Sequence, residues 1–75
     1  MKIQLFGNLV DLAGKNHVEV ENQPTTDKLI ELLVTRFPEL KDHQFLIAVN
    51  HEVISGKTEL HPCDEIALLP PFSGG

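Results

Sequence analysis

The sequence predicts an α+β domain: one mixed sheet with a single main helix packed across it. Three observations carry that reading. Two short alternating segments precede the one long amphipathic stretch, three further strand-like runs follow it, and the whole chain is only 75 residues. A chain of that length makes one small domain and hides only about 60% of the surface its unfolded form exposes. Its 41% hydrophobic content against 23% charged residues is the composition of a folded chain, not a disordered one.

The first segment, Met1 to Phe6, alternates with period two, setting Ile3 and Leu5 against Lys2 and Gln4. That pattern is a half-buried strand. Gly7 and Asn8 break it, and Leu9 to Ala13 form a helical turn stopped by Gly14. His17 to Glu21 alternates again, with Val18 and Val20 inward, and pairs antiparallel with the first strand before Asn22-Gln23-Pro24 closes the hairpin. Thr25 is suited to N-capping the main helix, and Asp27 in its first turn complements the helix dipole. Leu29, Leu33 and Phe37 stack on one side, widened by Ile30 and Val34, while Lys28, Glu31 and Thr35 take the other. Pro38 ends the helix, because the residue before a proline is pushed out of helical conformation.

Phe45 to Val49 is a continuous apolar run of strand length, expected to be covered on much of both faces. Asn50-His51 turns the chain into a short strand through Val53 and Ile54. Ser55-Gly56-Lys57 and His61-Pro62-Cys63-Asp64 are loop and turn signals. Glu65 to Leu69 is the last strand, and Pro70-Pro71 stops it by removing two amide donors. The order is β-β-α-β-β-β. The compact solution sets the first and last strands side by side and parallel, with the helix across the sheet. This is the ubiquitin-like β-grasp arrangement, expected over residues 1–69, with 70–75 as an extended C-terminal tail.

Eleven acidic side chains against six basic ones give a formal net charge of −5. That balance argues against nucleic acid or an anionic membrane as partner, since either needs a basic face. One cysteine, Cys63, precludes an internal disulfide and fits a reducing compartment. No apolar run approaches the roughly 20 residues of a membrane span, and the N-terminus lacks a signal-peptide pattern. The expectation is a cytoplasmic domain too small for a deep cleft of its own, one that works with a partner.

The tail is Pro70-Pro71-Phe72-Ser73-Gly74-Gly75. Frayed termini are the default for most domains. Here, however, the proline pair favours a stiff segment projecting off the last strand, and the glycine pair is a thread without Cβ atoms that fits a narrow channel. The α-carboxylate, with a pKa of about 3.5, is an anion and a poor electrophile at neutral pH. It must be activated to react, most simply as an acyl-adenylate made with ATP, after which a thiol or persulfide displaces AMP. The tail reads as a substrate to be loaded.

Strand parity locates a docking face. With Ile3 and Leu5 turned to the helix, Phe6 points away; with Ile66 and Leu68 inward, Leu69 lies on the outer side. Parallel neighbours would bring Phe6 and Leu69 together at the base of the tail, with Val53 joining them. Such an apolar patch marks a protein interface.

These residues resemble the MoaD/ThiS family of ubiquitin-like sulfur carriers, and within it the branch typified by MoaD. The resemblance covers essentially the whole chain. Its most specific element is Asp64-Glu65-Ile66-Ala67-Leu68-Leu69-Pro70-Pro71-Phe72-Ser73-Gly74-Gly75, similar to the family's D-E-[VI]-A-x-x-P-P-x-[ST/A]-G-G ending. Leu5 to Gly14 is similar to an F-A-x-x-R-E-x-x-G opening, and Ala48-Val49-Asn50 to an A-V-N strand end. The opening weighs against the thiamine carrier ThiS, which is shorter there. The resemblance implies that Gly75 is adenylated by an E1-like activating enzyme of the MoeB type, using that partner's ATP, and becomes a thiocarboxylate. No cofactor is implied as permanently bound. Pro71, Phe72, Ser73, Gly74 and Gly75 would insert into a MoaE-like large subunit, in a heterotetramer with two copies of each. There the sulfur would pass to cyclic pyranopterin monophosphate, building the molybdopterin dithiolene. The implied contact patch is Phe6, Val53 and Leu69. Two departures stand out. His61-Pro62-Cys63-Asp64 lacks the glycine of the family's D-G-D-E turn, and Gly7-Asn8 replaces the commoner Ala-x; both are expected to matter little.

Other chemistry is weakly signalled. His17, His43, His51 and His61 match no metal-ligand spacing and are expected on the surface. Cys63 beside His61 has no third orienting group and is expected to be a plain turn cysteine. Two rival functions remain: a carrier or protein modifier for thiamine, amino-acid or tRNA thiolation, and a binding module whose tail is never activated.

Overall fold

The sheet is built around its last strand. In the structure, a computed structural model that describes residues 1–71, the elements are β1 (Lys2–Leu5), α1 (Asn8–Ala13), β2 (His17–Glu19), α2 (Thr26–Arg36), a 3-10 helix (Pro38–Asp42), β3 (Leu46–Val49), β4 (Glu52–Ile54) and β5 (Ile66–Leu69). Strand order is β2-β1-β5-β3-β4. β1 and β5 are parallel, pairing Ile3 with Ile66 and Leu5 with Leu68; the β1–β2, β3–β4 and β3–β5 ladders are antiparallel. This is the expected ubiquitin-like β-grasp.

Alternation sorts the strands as the sequence requires. Ile3, Leu5, Val18, Ile47, Val49, Ile66 and Leu68 are buried on the inner face. They join Leu29 and Leu33 of α2 in one core, with Ile30, Val34 and Phe37 half-buried at its margin. Burying a Leu or Ile side chain of this kind contributes about 1.5–3 kcal/mol, which is why so short a chain holds together.

α2 starts where its sequence says it should. The Thr25 hydroxyl accepts a hydrogen bond from the Lys28 amide at 3.4 Å. Thr26, unlike a usual first-turn residue, is buried, and its hydroxyl accepts from the Thr58 amide at 3.0 Å. The Thr26 amide in turn donates to the Thr58 carbonyl at 2.9 Å, and the Leu60 amide to that of Pro24 at 2.9 Å. The loop before β5 is thereby stitched to the helix start, and Leu60 is buried in the core. The helix ends at Arg36, one residue before the expected stop, and Pro38 opens the 3-10 helix whose Leu40 is also buried. Sequence reading missed that element. A single apolar residue in five gives no periodicity to detect.

Three further differences are small. β2 is three residues, not five, although the Val20 amide still bonds the Met1 carbonyl at 2.9 Å. β5 begins at Ile66, not Glu65. The outer side of β3 is covered less than its apolar run suggested, since Leu46 keeps 38% of its surface.

Candidate functional site

The face of the sheet opposite α2 is organised in rows. At the end where the chain leaves β5, the Phe6 amide donates to the Leu68 carbonyl at 3.2 Å, which sets Phe6 abreast of Leu69. Leu69 pairs with Leu46 on β3. The middle row runs Gln4, Ala67, Ala48, Val53 across four strands by register. Phe6 and Val53 remain 43% and 55% exposed, so the fold leaves them uncovered. Phe6, Leu69 and Val53 rim a shallow depression of about 540 Å3, with Ala48 and Ala67 on its lining and Lys2 and Gln4 at one side.

Phe6, Val53 and Leu69, the residues expected to form a docking face, therefore share one side of the sheet, and Leu46, Ala48 and Ala67 lie on it with them. Leu46 was hidden in the sequence because a continuous apolar run does not disclose which side each residue takes. The alanines were missed because small residues carry no patch signal of their own. Pro71 is half-buried at the end of the described chain. Phe72, Ser73, Gly74 and Gly75, the other expected tail residues, lie outside the described residues.

The opposite end of this face is polar. Lys2 is paired with Glu19 across the β1–β2 ladder. His51 and Glu65 meet at 2.8 Å, both exposed. Beneath them Asn50 closes the β3–β4 turn and ties it to the start of β5. Its amide donates to the Glu65 carbonyl at 2.8 Å, its side-chain carbonyl accepts from the Glu65 amide at 3.0 Å, and its Nδ2 donates to Asp64 Oδ1 at 3.0 Å. Asp64 Oδ2 accepts from the His61 amide at 2.8 Å, closing a turn that has no glycine. The Asn50 hydrogen bond first, and then the His61 amide, hold the Asp64 carboxyl below its ordinary value.

The expected surface histidines are all exposed, as is Cys63. The His61 ring lies 3.6 Å from Asp64. Among the described residues, no three His, Cys, Asp or Glu side chains converge as a metal site, and no helix is long and apolar enough to cross a membrane.

At the root of the tail, Gly7 holds φ 59° and ψ −139°, a backbone conformation that only glycine adopts readily. A Cβ on Gly7 would stand 2.8 Å from Cγ of Pro70. The exchange of the family's Ala for Gly at this position, expected to matter little, thus coincides with a close contact on the first residue after β5.

A model of the ThiS family matches residues 3–75. The chain belongs to the ThiS family. Among its relatives, the molybdopterin synthase sulfur carrier subunit of Arabidopsis thaliana is 30% identical, over 100% of this chain and 82% of that protein. The subunit of the same name from Dictyostelium discoideum is 33% identical, over 99% of this chain and 94% of that one. The ThiS-family fold is also shared with solved structures. Small archaeal modifier protein 1 of Methanosarcina acetivorans superposes with a TM-score of 0.75 at 29% identity, over 99% of this chain and 94% of that chain. A Pyrococcus furiosus protein described as molybdopterin converting factor subunit 1 gives 0.79 at 26% identity, over 95% of each chain. The chain is accordingly a ubiquitin-like protein of the sulfur-carrier type.

Proposed function

We propose that this chain is the sulfur carrier subunit of a molybdopterin synthase, inactive alone and loaded at its C-terminal glycine. The observation that carries the proposal is the outer-face pair of exposed Phe6 and half-buried Leu69 beside the root of the tail, on a chain whose full-length relatives bear that name. A carrier needs a body to be recognised and a tail to be loaded, and recognition placed next to the tail delivers Gly75 into a partner's site.

The chemistry follows from the carboxylate. One oxygen of the Gly75 carboxylate attacks the α-phosphorus of ATP in an E1-like activating enzyme of the MoeB type, and pyrophosphate leaves. A sulfide equivalent then attacks the carbonyl carbon, expelling AMP and leaving a thiocarboxylate. In a MoaE-like large subunit the thiocarboxylate sulfur attacks an oxygen-bearing carbon of cyclic pyranopterin monophosphate, and the carbon–oxygen bond there breaks, its oxygen leaving as water or with the phosphate. Water then cleaves the acyl–sulfur bond and regenerates the carboxylate. Two sulfurs are needed per dithiolene, so the carrier is exchanged or reloaded within a tetramer of two subunits of each kind. ATP is consumed by the activating enzyme, the carrier keeps no cofactor, and the reaction belongs to the cytoplasm.

Incubation with ATP, a MoeB-type enzyme and a sulfur source tests this reading. The mass should rise by the difference between sulfur and oxygen, and the loaded chain should convert the pterin precursor when mixed with a large subunit. An unchanged mass under conditions that load another carrier would overturn it. Likeness to small archaeal modifier protein 1 favours a second reading, in which the activated glycine is joined to protein amines. Formation of an amide-linked conjugate in place of dithiolene would select it.

A further inference from the structure

The direction in which the chain leaves the sheet is fixed by a contact that the loading chemistry does not itself explain. Gly7 and Pro70 are remote in sequence, yet the 2.8 Å from an added Cβ to Pro70 Cγ, and 3.3 Å to Cδ, mean that the pyrrolidine ring occupies the space a side chain would take. A proline ring can change only its pucker: Cδ is bonded to the backbone nitrogen and cannot move aside without moving the backbone. The Gly7 backbone is held as well. The Val10 amide donates to its carbonyl at 3.1 Å as α1 begins, and the preceding Phe6 amide is bonded to Leu68. Pro70 therefore lies against a fixed surface one residue beyond the strand.

We propose that Gly7 is a positioning residue for the C-terminal tail: its bare Cα is the seat of the Pro70 ring, and that seat aims Gly75. The inference rests on the proposed loading of Gly75 but concerns the body of the domain, far from the reacting atoms in sequence. Five residues of chain, at most about 18 Å in length, separate Pro70 from Gly75, so the direction of the root sets where that length of chain starts out. Misplacement of a reacting group by about 1 Å costs on the order of 100-fold in rate.

The test is a double-mutant cycle of Gly7→Ala and Pro70→Ala, since the second change removes the two ring atoms nearest Gly7. Two readouts are taken: ATP–pyrophosphate exchange with a MoeB-type enzyme, and the NMR amide shifts of residues 72–75. Gly7→Ala should lower kcat about tenfold with KM within about twofold, and should displace the tail amides. In the Pro70→Ala background the same change should cost less than about twofold and leave the tail amides in place. Equal losses in both backgrounds would assign the effect to backbone strain at residue 7 and overturn the proposal. Should Gly7→Ala fail to fold, Pro70→Ala alone must shift the tail amides and lower kcat at constant KM; unchanged values would overturn it equally. A wild-type chain that supports no exchange at all would sink the proposed function instead, and the tail amides in the cycle would still decide the role of Gly7.

Discussion

Ala48 faces Ala67 across the β3–β5 ladder, so two methyl groups floor the centre of the outer face while Phe6, Leu69 and Val53 stand around them. If this face docks the proposed large subunit, the depression would receive a protruding side chain from it. Ala67→Leu fills the depression with three carbons on the solvent side of the sheet. The melting temperature should change by no more than about 4 °C. Affinity for a large subunit, measured by calorimetry, should fall tenfold or more, about 1.4 kcal/mol. Undiminished binding would mean that the partner does not enter the depression.

Phe6→Ala and Leu69→Arg examine the rim. Phe6 is 43% exposed and its truncation removes little core, so unfolding should shift by about 1 kcal/mol or less. Buried centrally in an interface, the same ring is worth about 2 kcal/mol or more. Docking should therefore suffer while the fold survives, as circular dichroism and titration calorimetry would report together. Retained affinity in both variants would refute the assignment of this face.

His51 occupies the left-handed region at φ 69°, in a two-residue turn whose other member, Asn50, has φ 53°. A non-glycine residue there costs about 1 kcal/mol, less for asparagine, whose side chain here also makes two hydrogen bonds. The His51–Glu65 pair is exposed and offsets little of that. His51→Gly should raise the melting temperature by roughly 4–8 °C, whereas Asn50→Gly should not. A fall on His51→Gly would show the His51–Glu65 contact to outweigh the strain.

Asp64 gives the fold a dependence on acid. Its folded pKa is depressed, so its contribution is present above the ordinary carboxylate value of 3.8 and is lost as pH falls through the lower folded value. The window lies below about pH 4. Asn50→Ala removes the largest cause of the depression. In an NMR titration the Asp64 carboxyl should then move up toward its ordinary value, and acid unfolding should lose part of its pH dependence. A midpoint that stays where it was would transfer the credit to the His61 amide.

Much of this was legible in the residues, for physical reasons that differ from place to place. Ile3, Leu5, Val18, Ile66 and Leu68 announce their strands because one face is buried and the period is two. The same parity sets Phe6 and Leu69 on one face from the sequence alone. What could not be read was whatever depends on another strand's register. Leu46 and Ala48 fall on the outer face only because β3 pairs with β5 in one alignment and not its neighbour. Gly7 is a stronger case. Its sequence signal is an ordinary strand-ending glycine, and the reason for it lies at Pro70, which local pattern does not reach.

The parallel pairing of β1 with β5 also settles how the domain answers a pull. The start of β1 and the end of β5 lie at opposite ends of neighbouring strands, and β5 is additionally clamped by β3. Tension applied between the N-terminus and the tail thus slides one strand along the other and strains the ladder hydrogen bonds together. A hairpin pulled from its open end would instead unzip them singly. A tail that a partner pulls on would therefore be anchored to a strand held by neighbours on both sides.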